Sequence, residues 1–236
     1  VTNLYYIGPL REYPLRNYDW SGQRPDNLGK GGEKFVAAML ASDKQNFEVQ
    51  TKVAHWLKKF RLIHDFKLEP LGRNGQQYEV LVRTKPNSPD VSITDVGFGV
   101  SQILPILVLC YYAPEGSTII LEQPELHLHP FVQAGLADVF IDVIKNRNLQ
   151  IILESHSEHL LRRLQRRIAE TSQDFTNADA ALYFCDLDDT GTSHLEPLQI
   201  DPYGNITNWP ENFFGDEMGD LVAMTEAAMH RQMQEQ

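Results

Sequence analysis

The stretch "TIILEQPELHLHP", residues 118–130, runs through four apolar or β-branched positions and stops at a carboxylate, Glu122, then an amide, Gln123, then Pro124. A short, continuously apolar run ended by a proline, which cannot extend the ladder, predicts a buried strand. The next segment, "PFVQAGLADVFIDVIKN", repeats Val132, Leu136, Val139, Phe140, Val143 and Ile144 at helical spacing. The pattern recurs on both sides. Upstream, "VSIT" leads into a helix "VSQILPILVLCYY"; downstream, "LQIIL" leads into "SEHLLRRLQRRIAE", with Leu160, Leu161, Leu164 and Ile168 on one face, and then come strands "AALYFCD" and "TSHLEPLQI". Alternating strands and amphipathic helices predict an α/β fold, a largely parallel sheet covered on its faces by helices. In such sheets ligands gather beyond the carboxyl ends of the strands. The residues there are Glu122 and Gln123 after one strand, and Glu154, Ser155 and His156 after the next.

The first ninety residues read differently. "NLYYIGPL" predicts a strand broken at Gly8-Pro9, a polar loop comes after it, and helices are expected at "EKFVAAMLAS" and "VQTKVAHWLKKF". The alternating segments "LIHDFKLEPL" and "QYEVLVRT" predict an antiparallel pair, and this half reads mostly as scaffold. The expected organisation is a connecting segment and central α+β part over 1–90, a lobe over 91–200 and an extension over 201–236.

Composition narrows the partners. With 236 residues and 42% hydrophobic content the chain can bury a sizeable core. A formal charge of −11 argues against an extended nucleic-acid surface, so any DNA contact is expected to be local or supplied by other parts. Cys110 and Cys185 both lie in apolar runs and read as buried free thiols of a reducing compartment, which makes the cytoplasm the expected location. The longest apolar run, "ILPILVLCYYA", is too short to cross a bilayer.

Three ordered stretches carry the chemistry: "DVGFGVSQILPI", "TIILEQPELHLHP" and "QIILESHSEHLL". In order and spacing they resemble the signature motif, the Walker B strand with its D-loop, and the switch histidine of ABC-type ATPases, in the RecF/SMC/OLD-like branch. The resemblance implies the C-terminal lobe of such an ATPase, with ATP and Mg²⁺ as cofactors. Glu122 then corresponds to the carboxylate that holds Mg²⁺, and Gln123 stands where the water-polarising residue is usual. "ELHLHP" corresponds to the D-loop, and His156 to the histidine that reads the γ-phosphate. Gly97 and Gly99 permit close backbone approach, while Ser101 and Gln102 are expected to open a helix whose start is a phosphate-binding device. In the family that element, here Gly99, Ser101 and Gln102, reaches the partner's ATP, which implies a head-to-tail homodimer or larger assembly.

No G-x-x-x-x-G-K-[ST] phosphate loop occurs; "NLGKGGEKF" has neither the spacing nor a preceding apolar strand. The resemblance therefore implies an N-terminal Walker A lobe beyond these residues. The stretches "YYIGPLREYPLRNY" and "YGNITNWPENFFGDEMGDLVAM" extend the resemblance to bacterial ATPases that end in a module of unknown function. Septu-type anti-phage ATPases, which occur beside nucleases, are similar, so a nuclease partner is expected by association.

Other readings stay beside these. Gln123 fits a native slow variant, a base role moved to Glu125, or a Glu→Gln trap. A nucleotide-gated platform without hydrolysis is the alternative function. His127, His129, His156 and His159 with Glu122 and Glu125 could instead form a metal-dependent hydrolase site. "CDLDD" at 185–189 is similar to the acidic pair of an OLD-type nuclease, but fits a hairpin turn better. Arg162, Arg163, Arg166 and Arg167 form either a salt-bridged face or a DNA or partner contact, and Trp209, Phe213 and Phe214 either pack internally or dock a partner.

Overall fold

The computed structural model describes residues 3–43, 48–72, 75–171, 174–188, 190–210, 213, 222–228 and 231. Two compact units divide the chain: residues 1–164 with 173–175, and residues 165–172 with 176–236.

The first unit contains a three-stranded parallel sheet and a four-stranded antiparallel one. In the parallel sheet, β6 (Thr118–Glu122) lies between β1 (Leu4–Ile7) and β7 (Gln150–Glu154). The antiparallel sheet follows the order β2 (Tyr18–Asp19), β4 (Gln77–Arg83), β3 (Asp65–Leu71), and β5 (Val91–Ser92) also pairs with β4. Two expectations are corrected here. "VSIT" does not join the parallel sheet; only Val91 and Ser92 are strand, and they complete the antiparallel one. The sheet's place beside β6 goes to β1, from the half read as scaffold, in the register Tyr6↔Ile120 and Ile7↔Leu121.

Side-chain alternation decides which face of the parallel sheet is covered. Ile7, Ile119 and Leu121 are fully buried, with Tyr5, Ile151 and Leu153 packed beside them. Against them lie α3 (Phe98–Tyr112) and α4 (Pro130–Arg147), so helices flank the sheet along this face. Helix α3 is buried on every side from Val100 to Tyr112, as a helix apolar all round must be. Helices α1 (Phe35–Asp43) and α2 (Glu48–Lys59) pack on it. The indole of Trp56 donates to the Tyr111 hydroxyl, which donates to Asp142 at 2.7 Å, joining α2, α3 and α4. On the opposite sheet face, among the described residues, Leu4, Tyr6 and Ile152 remain 60%, 37% and 50% exposed.

The C-terminal end of α3 is closed by Arg147 of α4, whose guanidinium donates to the carbonyls of Cys110 and Ala113 at 2.6 and 2.9 Å. Burial pushes the Cys110 thiol up to about 12, so it stays protonated. Cys185 is exposed, contrary to expectation, because its strand belongs to a hairpin with an open face.

In the second unit, β8 (Leu182–Leu187) and β9 (Ser193–Leu198) form an antiparallel hairpin separate from the parallel sheet. The Asp188 carboxylate accepts from the amides of Thr190 and Thr192 at 2.8 and 2.9 Å and pairs with His194 at 2.8 Å. "CDLDD" thus supplies a turn residue, although Asp189 itself lies outside the described residues. Phe213 packs on Phe184 and Trp209 with ring centroids 5.2 and 5.0 Å apart, an internal use of these aromatics. Phe214 lies outside the described residues, and residues 222–228 are helical and exposed. Among the described residues, no helix is long and apolar enough to cross a membrane.

Candidate functional site

The site forms where β6 and β7 end side by side. Glu122 and Glu154 are register partners across the parallel pair, so two carboxylates stand next to each other at the carboxyl edge. Like charges in adjacent strand positions repel unless something neutral or cationic relieves them. Here the Glu154 carboxylate meets the imidazole Nε2 of His156 at 3.2 Å. The Tyr6 phenol of β1 stands near Glu122, and desolvation, hydrogen bonding toward that carboxylate and its charge hold the phenol above its ordinary value. Glu122 is half-buried and His156 exposed, so both are reachable from outside.

The chain leaves β6 through a strained turn. Gln123 has φ +44°, in the left-handed region, although it precedes a proline, whose ring favours extended backbone before it. A residue held in such a region costs about 1–3 kcal/mol and persists only when its surroundings over-determine it. Three hydrogen bonds do so: the Gln123 amide donates to the Glu154 carbonyl at 2.9 Å, while the Gln123 carbonyl accepts from the Leu126 amide at 3.1 Å and Arg11 Nη2 at 2.8 Å. Arg11 lies beyond the end of β1, is only 6% exposed, and also reaches the Glu122 carbonyl at 3.3 Å. Burial lowers its guanidinium to about 10, an effect partly opposed by the nearby charge of Glu125.

Glu125 is itself buried, and its Oε1 accepts from the backbone amide of His156 at 2.8 Å. A second turn comes next, with the Leu128 amide on the Glu125 carbonyl at 3.0 Å and His127 at φ +63°. His129 then caps α4, its Nδ1 accepting from the Phe131 amide at 3.2 Å, and Pro130 takes the first helical position. Ser157 starts α5 (Glu158–Ala169): its hydroxyl accepts from the Leu160 amide at 3.1 Å and donates to Gln133 of α4 at 2.7 Å.

The signature stretch reaches the same region through aromatic contact. Phe98 lies 5.2 Å from the His127 ring and 5.3 Å from Tyr13, and a Cβ on Gly99 would stand 3.6 Å from the His127 carbonyl. The helix start differs from expectation. Helix α3 begins at Phe98 with Gly97 as its N-cap, and the Val100 amide already bonds the Gly97 carbonyl at 3.1 Å, so the open helix end lies at 97–99 and Ser101 and Gln102 fall behind it. Ser101 is 5% exposed and its hydroxyl turns back to the Phe98 carbonyl at 2.7 Å; Gln102 is 2% exposed.

Of the sequence candidates, Glu122, Gln123, Glu125 and His156 therefore come together, Gly99 lies against the turn at His127, and Ser101 and Gln102 are interior to α3. Tyr6 and Arg11 do not stand out in the sequence. Their signal is present in "YYIGPLR", a strand with a lone arginine beyond it, but only the parallel pairing with β6 gives it meaning. The histidines do not form a metal centre: among the described residues no group of three or more His, Cys, Asp or Glu could hold a metal ion. The arginine face is ion-paired within the chain, Arg162 to Glu158, Arg163 to Asp138, and Arg166 and Arg167 to Glu170.

Carboxylates and a histidine thus gather at the ends of parallel strands in an α/β chain, beside a glycine-flanked helix start. The chain belongs to the AAA ATPase domain family, whose model matches residues 33–161, more than half of its length. A second family model, described as a protein of unknown function (DUF3696), matches residues 176–224. No curated protein matches the chain. Among solved structures, an SMC head bound to the C-winged helix domain of ScpA is 12% identical, with a TM-score of 0.51 over 72% of this chain and 51% of that one. The chain therefore spans about half of that head and shares its fold. A second structure, from work on ATP-driven dimerization and DNA-stimulated activation of SMC ATPases, is 13% identical, covering 64% of this chain and 83% of that chain with a TM-score of 0.43.

Proposed function

We propose that the chain is the C-terminal lobe of an ABC/SMC-like ATPase that binds ATP with Mg²⁺ and works as a head-to-tail dimer. The observation that carries this reading is the junction of Glu122, Gln123 and His156 at the ends of β6 and β7. Mg²⁺ bound with a nucleotide needs only one or two protein carboxylates, since phosphates and water supply its other oxygens. A half-buried Glu122 beside Glu154 fits that requirement, and the cation would relieve their repulsion. The exposed imidazole of His156 would leave Glu154 to hydrogen-bond the γ-phosphate. Gly99 and the free amides at the start of α3 would face the partner's ATP, with Ser101 and Gln102 supporting them from inside.

An N-terminal lobe bearing the phosphate loop completes this site. Support comes from the sheet itself: β7 is an edge strand, and Leu4, Tyr6 and Ile152 form an open apolar face suited to a further strand and helix. Closure on ATP and reopening on hydrolysis would be passed to a nuclease or DNA partner in anti-phage defence. That last step rests on the Septu-type resemblance.

A second reading keeps the same site but makes it a gate without turnover, favoured by the neutral Gln123 in the water-polarising position. Mg²⁺-dependent ATP turnover, measured with the phosphate-loop lobe supplied, separates the two. Turnover abolished by Glu122→Ala supports the ATPase; binding without Glu122-dependent turnover supports the gate.

A further inference from the structure

We propose that Arg11 and Glu125 form a buried positioning couple that fixes the Gln123 turn and the His156 loop against each other. The inference rests on the ATPase reading of that site but extends it to Arg11 and gives Glu125 a positioning role in place of the base role.

Arg11 is 6% and Glu125 8% exposed. Buried charges on this scale are a poor route to stability, because well-packed apolar residues of similar volume generally do as well or better. The hydrogen bonding points the same way. Among the described residues, Arg11 Nε and Nη1 and Glu125 Oε2 are buried without partners. What the two side chains do make is directed contact with backbone. Arg11 Nη2 donates to the Glu122 and Gln123 carbonyls, and Glu125 Oε1 accepts from the His156 amide.

Those contacts lie on the peptides that leave β6 and β7. On the ATPase reading, Gln123, on its left-handed backbone, would present an amide to the attacking water, and His156 an imidazole to the phosphate. A fourth bond, from the Gln123 amide to the Glu154 carbonyl, closes the connection between the two strand exits. The charges of Arg11 and Glu125 then hold the connection together across the buried gap, so moving one strand exit moves the other. Glu125, buried with one oxygen on a backbone amide, serves as a positioning residue rather than the base.

The test uses the full protein with its phosphate-loop lobe and Mg²⁺-ATP, and the variants Arg11→Lys, Arg11→Met, Glu125→Gln and Arg11→Met/Glu125→Gln. A misplacement of about 1 Å at reacting groups can lower turnover about 100-fold. Arg11→Met and Glu125→Gln are expected to lower kcat on that scale with KM for ATP little changed, and Arg11→Lys to recover part of the loss. The imidazole ¹⁵N signals of His156 are expected to shift in both charge-removing variants. The double variant carries no unpaired buried charge, so it keeps the fold; its kcat stays low and its His156 signals stay displaced. Wild-type kcat in the double variant, or His156 signals unmoved in Glu125→Gln, would overturn the proposal. Absence of turnover in the wild-type protein would instead overturn the ATPase reading, while the His156 signals still report on the couple.

Discussion

Glu122 and Glu154 occupy matched positions at the ends of β6 and β7, two carboxylates paired across parallel strands, with Tyr6 on one and His156 on the other to relieve them. An arrangement that costs stability in the empty site and gains a function when a cation arrives predicts opposite effects from one substitution. Glu122→Gln removes the repulsion and should raise stability by roughly 0.2–1 kcal/mol. The same change should lower Mg²⁺-dependent ATP turnover about 100-fold or more, since a bound metal supplies several kcal/mol of transition-state stabilisation. Thermal melting and a phosphate-release assay on the same preparation check both.

Gln123 can orient a water but cannot take its proton. Gln123→Glu keeps the side-chain length and the left-handed backbone, and should raise turnover about 100-fold or more, the range that a positioned base contributes. Single-turnover kinetics, which separate chemistry from product release, give the measurement. Unchanged turnover would favour the gate without hydrolysis.

Gly32 has φ +77°, and a Cβ there would stand 2.3 Å from the Cβ of Pro105 on α3. Gly22 has φ +82° with nothing within 4 Å. Gly22→Ala should therefore cost only the backbone term, about 1–2 kcal/mol. Gly32→Ala should add about 1–3 kcal/mol of overpacking. Each kcal/mol lowers the melting temperature by roughly 2–4 °C in a chain of this size, so the two melts should separate clearly.

The Asp188 carboxylate is held below its ordinary value by hydrogen bonds from the Thr190 side chain, His194 and the Thr192 and Thr190 amides. A carboxylate lowered in the folded state binds fewer protons there than in the unfolded chain, so its stabilising effect is complete above the ordinary carboxylate value. It is lost as pH falls through the lowered value. Amide exchange of Thr190 and Thr192 should thus stay slow at neutral pH and accelerate in strong acid. Asp188→Ala should accelerate it at neutral pH and change it little in strong acid.

The parts of the fold that were legible in the sequence are those set by local pattern. Val132, Leu136, Val139 and Val143 announced α4 because each faces the same core, and all four are buried. The β3–β4 pair was readable for the same reason, from alternation within two short segments. Partner choice was not local. Nothing in "VSIT" distinguishes a strand beside β6 from one beside β4, and nothing in "NLYYI" announces that it will lie beside β6. The candidate site shows the same division. Glu122 and His156 come at the ends of apolar strands and stood out, whereas Tyr6 and Arg11 matter only because the chain folds back by more than a hundred residues to meet Glu122 and Gln123. The start of α3 was misplaced because Gly97, not Ser101, provides the cap, without any side-chain hydrogen bond to mark it.

The central claim is that these residues form half of a nucleotide site, with Glu122 as its metal-holding carboxylate and the phosphate loop supplied by another lobe. The most direct measurement is Mg²⁺-ATP binding and turnover by the 236-residue chain alone and again with that lobe joined to it. The account predicts neither tight binding nor turnover for the chain alone, and Glu122-dependent turnover for the joined protein. Robust turnover by the chain alone would contradict it.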